Sequence, residues 1–242
     1  MIKAFLLLLK FAKLGPVLKT GGTMLISLGA YAFIFGWRYA LGFVLLIFAH
    51  EMGHFVAARR QGLDVGAPTF IPFVGAWIEL KEKPMSALQE AHIAFAGPFV
   101  GTLAAALVLW VAGEQDSKLL LALAYSGFFL NLFNLIPIAP FDGGRIVGLL
   151  SPKIWLLGVP LLLGIFIWNH NPMFLLVLVL LVPSLWHSIK IALGKAPPDN
   201  DARYYDVPSQ DRIRYGIYYL LLVSFLAIMS VQVHEQLQGT LG

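Results

Sequence analysis

The chain has 242 residues, 59% hydrophobic and 12% charged, with 17 Lys and Arg, 13 Asp and Glu, and no cysteine. Soluble domains carry roughly 45–50% apolar and about 25% charged residues, so a mean hydropathy of +0.79 excludes a water-facing enzyme. It also excludes disorder, which needs low hydrophobicity and high net charge. Without thiols there are no disulfides and no thiolate ligands, so any metal must be held by nitrogen and oxygen.

Residues 1–20 are apolar but broken by Lys3, Lys10, Lys13 and Lys19. A signal peptide needs an unbroken apolar stretch followed by a small-residue cleavage site. The pattern reads instead as an amphipathic interfacial helix whose lysines meet anionic lipid. Long apolar runs follow at residues 22–37, 39–58, 86–112, 118–137, 153–168, 172–189 and 213–233. Crossing a bilayer takes about 20 apolar residues. The first and fifth runs are short, so the expectation is an all-α polytopic membrane protein of six to seven spans. Pro98, Pro160 and Pro183 lie within runs, where neighbouring helices can satisfy the freed carbonyls. There is no internal repeat of the kind that builds many transporters.

With the amino terminus in the cytoplasm, fifteen of the 17 Lys and Arg fall on cytoplasmic segments, and only Arg38 and Lys118 on the other side. That bias sets the orientation and accounts for the basic balance without a nucleic-acid partner. Two segments are not spans. Residues 63–84 mix Gly and Pro with alternating apolar positions, and 76–81 read as a strand, predicting a small β-hairpin at the cytoplasmic boundary. Residues 194–212 are polar and proline-rich, a solvated linker with solvent-facing tyrosines. The expected organisation is an interfacial segment 1–20, a core 21–150, further spans in 151–193, the linker 194–212 and a last span in 213–242.

The chemistry lies in the second run, at His50-Glu51-Met52-Gly53-His54. Residues four apart share one face of a helix. His50 and His54 can therefore present two imidazoles to one metal, with Glu51 beside the open coordination position as general base. Three ionisable residues within five positions of a membrane helix are costly and mark function. Zinc needs a third protein ligand. His170 and His234 lie on the opposite side, His187 reads as interfacial, and His92 as a packed, hydrogen-bonded residue. Glu79 sits in a strand-like stretch beside Lys81 and Lys83. Asp142 is the better choice, because Pro137 and Pro140 end the preceding helix and Gly143-Gly144 permit a turn back into the bundle. The residues alone leave two roles for it, third ligand or cap of a helix starting at Gly143.

His50-Glu51-Met52-Gly53-His54, taken with Asn134-Leu135-Ile136-Pro137-Ile138-Ala139-Pro140-Phe141-Asp142-Gly143-Gly144, resembles the site-2 protease family of intramembrane zinc metalloproteases. Phe95-Ala96-Gly97-Pro98-Phe99-Val100-Gly101 is similar to that family's Gly-Pro helix start. The resemblance covers roughly residues 20–150. It implies a three-helix catalytic core, one zinc held by His50, His54 and Asp142, catalysis by Glu51, and a hydrogen bond from Asn134 to substrate or intermediate. In the family the aspartate often follows leucine; here Phe141 precedes it. The sequence reads as a compact form, with no PDZ-like insert or appended regulatory domain. The expected activity is peptide-bond hydrolysis in transmembrane substrates, in a multi-pass protein of a bacterial cell membrane with its active site opening to the cytoplasm. The hairpin edge, Phe73, Val74, Gly75, Ala76 and Trp77, would pair with an unwound substrate segment. An inactive protease-like binding protein and a metal or proton transporter are the rival expectations.

Overall fold

A computed structural model describes residues 2–73, 75–78, 86–169, 172–195 and 202–239. Its helices are α1 (Ile2–Phe35), α2 (Trp37–Arg60), α3 (Ala87–Gln115), α4 (Lys118–Asn134), α5 (Asp142–Gly148), α6 (Gly158–Asn169), α7 (Pro172–Ala192) and α8 (Ser209–Gly239). Strands β1 (Thr69–Ile71) and β2 (Gly75–Trp77) form one hairpin. Two 3-10 turns, Pro152–Leu157 and Ala202–Tyr205, complete the described elements.

Four described helical segments are long and apolar enough to cross a membrane: Leu18–Phe35, Trp37–Arg60, Ala87–Gln115 and Ser209–Gly239. Phe33, Trp110 and Leu221 are exposed on them, as expected where the solvent is lipid. This is an integral membrane protein. The run at 153–168 is divided into a 3-10 turn and the 12-residue α6, which rises only about 18 Å against a hydrocarbon core of about 30 Å. The amino-terminal backbone continues without a break from residue 2 into the first apolar run.

α3 lies at the centre, packed along α2 on one side and α4 on the other, with α8 against α4. Between helices in lipid there is no difference in apolarity to drive association, so close packing of small residues carries it. Ala105 of α3 faces Gly127 of α4, where a side-chain β-carbon would lie 2.9 Å from the alanine methyl. Phe128 and Leu226 fill the α4–α8 seam. Pro98 stands inside α3 rather than at a helix start. It has no N–H to give the carbonyl four residues back, yet the helix runs on because its neighbours hold it on both sides.

The hairpin is antiparallel, with Thr69 opposite Trp77, Phe70 opposite Ala76 and Ile71 opposite Gly75. It is anchored to α1. The Thr20 hydroxyl donates to the Pro68 carbonyl (2.6 Å), the Phe70 N–H donates to the Thr23 hydroxyl (3.2 Å), and the Phe73 N–H to the Tyr31 hydroxyl (3.1 Å). The described part of the second strand is Gly75–Trp77; of the stretch 76–81 read as a strand, residues 79–81 lie outside the described residues, as does Val74.

The segment read as a solvated linker is, where described, docked. Tyr204 and Val207 are buried against Ala87, Ala91 and Leu149. The Tyr204 hydroxyl donates to Glu90 Oε2 of α3. Burial, with the Glu90 carboxylate beside it, holds that hydroxyl well above its ordinary pKa, so it stays a donor. Arg212 donates to the carbonyls of Leu149 (2.8 Å), Leu150 (3.3 Å), Tyr205 (2.6 Å) and Val207 (3.3 Å). Polarity misled the reading here, because the aromatic rings interleaved with the charges find apolar partners only once α3 and α5 are in place.

A candidate metal centre

His50 and His54 project from one face of α2 toward α3 and α4. The His54 Nδ1 lies 2.8 Å from the Ile93 carbonyl of α3, and the His50 Nδ1 lies 2.8 Å from Asn131 Oδ1 of α4. The two Nε2 atoms are 3.1 Å apart. This close approach of backbones needs glycine. A β-carbon on Gly53 would lie 2.8 Å from the Ala96 carbonyl carbon and 2.9 Å from Gly97 Cα, and one on Gly97 would lie 2.7 Å from His54 Cδ2.

The carboxylate arrives from another direction. α4 ends at Asn134, and the chain returns through Pro137 and Pro140 to the short helix α5, whose first residue is Asp142. Phe141, in extended conformation, is the capping position, so Asp142 is not the cap of the helix that follows it. Gly143 and Gly144 serve contact rather than the turn that the sequence suggests. A β-carbon on Gly143 would lie 2.6 Å from the Ile136 carbonyl oxygen, and one on Gly144 2.5 Å from that of Ile138. The Trp155 indole N–H donates to the Gly144 carbonyl (2.8 Å), tying α5 from its other side.

So placed, Asp142 Oδ2 lies 3.2 Å from His50 Nε2 and 3.1 Å from His54 Nε2. His50, Glu51 and Asp142 are 4%, 6% and 8% exposed. Asp142 Oδ2 is a buried oxygen with no hydrogen-bond partner among the described residues. His50, His54 and Asp142 each offer one ligand atom, all within 4.8 Å of one another. Zinc–ligand bonds of about 2.0–2.1 Å put tetrahedral donor atoms roughly 3.3 Å apart, close to the separations found. Because a carbonyl only accepts, His54 donates from Nδ1, and the neutral ring then turns an Nε2 lone pair toward the carboxylate. Lone-pair carriers this close repel unless a proton or a metal cation lies among them, and the donor set fits zinc.

The sequence-derived candidates divide as follows. His50, His54 and Asp142 converge, and Glu51 is buried next to His50 on the same helix. The Asn134 Nδ2 donates to the Leu130 carbonyl of its own helix (3.0 Å). Phe73 and Ala76 pack against an apolar cluster of α1 and α2 that includes Tyr31, Val44 and Ile47. His92, an exposed residue, is hydrogen-bonded to the Tyr215 hydroxyl (2.8 Å), and its ring meets the Tyr215 ring edge-on. His234 pairs with Gln238 (2.9 Å); Glu79 and His170 lie outside the described residues. Sequence reasoning passed over Asn131. Its signal was there: a carboxamide in the middle of an apolar run, which membrane cost alone marks as purposeful.

Fold and site together define a polytopic helical membrane protein with a buried two-histidine, one-carboxylate donor set. Residues 38–115 match the profile of peptidase family M50. Rip3 of Mycobacterium tuberculosis, which carries the name of a zinc metalloprotease, is 32% identical over 133 residues, 50% of this chain and 34% of the relative. The zinc metalloprotease MJ0392 of Methanocaldococcus jannaschii is 32% identical over 124 residues, 48% of this chain and 36% of the relative. A shorter relative from that organism, MJ0611, likewise named for a zinc metalloprotease, is 28% identical over 168 residues, 57% of this chain and 87% of its own length. These likenesses are to the site-2 protease family, peptidase family M50, over part of the chain, which spans about a third of the length of the first two relatives.

Proposed function

We propose that this protein is a zinc-dependent intramembrane endopeptidase that cleaves peptide bonds within or near the transmembrane segments of other membrane proteins. The observation that carries the reading is the convergence of His50, His54 and Asp142, from helices far apart in sequence, around a buried carboxylate oxygen with no hydrogen bond among the described residues. These three residues would hold one zinc ion per chain. When bound, zinc supplies Lewis acidity, which polarises a carbonyl and makes water acidic enough to be deprotonated near neutral pH.

The chain's own residues do the rest. Glu51 takes the proton of the attacking water and delivers it to the leaving amine. The Asn134 carboxamide has two N–H donors, of which one is spent on Leu130. The second is available to an oxyanion, an interaction that strengthens as charge develops. A helical substrate shields its own carbonyls, so it must unwind to be cut. β1 is engaged by α1 through the Phe70 N–H, which leaves Gly75, Ala76 and Trp77 of β2 as the edge to which an unwound strand adds. The partners are thus a transmembrane substrate and the surrounding lipid; the lysine and arginine bias supports an active-site opening at the cytoplasmic face, in a membrane read as bacterial.

The test is purified protein acting on transmembrane model peptides, with zinc counted by elemental analysis. Wild type should hold one zinc and lose cleavage to a chelator. Glu51→Gln should keep its zinc and lose roughly 10²–10⁴-fold in rate, the usual worth of a general base. A fully active Glu51→Gln protein refutes the assignment.

A further inference from the structure

We infer that Asn131 is a positioning residue that locks His50 in the tautomer able to bind metal, with Gly101 as its seat. The inference rests on the metalloprotease reading for its purpose, but its geometry stands apart from it.

Asn131 is 1% exposed, in the last turn of α4. Its Nδ2 donates to the Gly127 carbonyl (2.7 Å). A carbonyl can only accept, so that contact decides which end of the carboxamide is nitrogen and turns the oxygen, itself only an acceptor, toward His50. His50 must then donate from Nδ1 across the 2.8 Å contact, and its Nε2 carries a lone pair aimed at Asp142. Without Asn131, the neutral ring would gain a hydrogen bond by moving its proton to Nε2, 3.2 Å from the carboxylate, and that proton would occupy the ligand position. Metal-binding histidines are commonly held this way through their second nitrogen. His54 has a backbone carbonyl for the purpose, whereas His50 depends on a side chain and is open to mutation.

Asn131 has little room to turn away. A β-carbon at Gly101 of α3 would fall on its Oδ1 and lie 2.7 Å from Nδ2, so a single added methyl displaces the carboxamide while removing no polar group.

The experiment uses the full chain in detergent, with wild type, Asn131→Leu, Asn131→Asp and Gly101→Ala, each checked for helical content and monodispersity. Zinc affinity is measured by competition with a chelator. Metal-free protein labelled with 15N-histidine reports the protonated nitrogen of His50 above the ordinary imidazole titration range, its signal assigned by loss in His50→Gln. Asn131→Leu should weaken zinc about 10–100-fold and move the His50 proton toward Nε2. Asn131→Asp keeps an acceptor and should stay within a few-fold of wild type with Nδ1 protonated. Gly101→Ala should move both readouts in the direction of Asn131→Leu, and it decides the matter if the leucine variant does not fold. Zinc affinity and His50 signals unchanged in Asn131→Leu or in folded Gly101→Ala overturn the inference, as does an Asn131→Asp loss equal to that of leucine. A wild-type chain that binds no zinc sinks the metalloprotease reading instead, and the metal-free nitrogen signals still decide the tautomer.

Discussion

Asp142 does at the scale of one residue what no other described carboxylate in the chain does: it brings a negative oxygen, unbonded and buried, to two imidazoles from across the bundle. Asp142→Ala should therefore reduce bound zinc from one per chain toward none, measured by elemental analysis after dialysis, while Glu79→Ala should leave it unchanged. The reverse pattern would transfer the ligand role to Glu79. The His50–His54 pair was legible from spacing, because four residues on a helix return to one face whatever surrounds them. That Asn131 serves a purpose was legible from its place in an apolar run, but its partner was not, since that lies 81 positions away. The double glycine after Asp142 was legible as important and misread in kind, because a close backbone approach leaves no mark in sequence that distinguishes it from a turn.

At the scale of elements, the site is the place where α2, α3 and α4 are drawn together and α5 is pinned beneath them. Gly53→Ala sets a methyl against the backbone of residues 96 and 97, which cannot give way as a flexible side chain would. Overpacking of this kind costs about 1–3 kcal/mol, and the displacement of α2 should lower zinc affinity together with the unfolding midpoint. Arg212 answers the carbonyls of Leu149 and Leu150, just past the end of α5, from a segment whose polarity suggested a free linker. Hydrogen bonds from a charged donor contribute about 1.5–3 kcal/mol each when buried. Arg212 is only partly so, and Arg212→Leu should cost about 2–3 kcal/mol in total, read as a lower thermal midpoint, with weaker zinc binding because α5 carries Asp142. An unchanged midpoint would show that the strap is an ornament of packing rather than a brace.

Across the whole molecule, orientation is the property most open to direct measurement, because the chain has no native cysteine. Gln61→Cys, just past α2, should react with an impermeant maleimide only from the cytoplasmic side, and Glu114→Cys, near the end of α3, only from the other; the opposite pattern would invert the topology. Composition was enough to show a membrane protein, since 59% hydrophobic residues with so few charges cannot coat a soluble surface. Helical periodicity was enough to pair His50 with His54, for that relation is local. Which carboxylate lies against the two imidazoles was decided by tertiary structure, as were the carboxamide beside His50 and the docking of residues 202–207. Each of these depends on distances between helices, and such distances come from small residues meeting across an interface, a relation between positions remote in the chain that no single stretch of sequence contains.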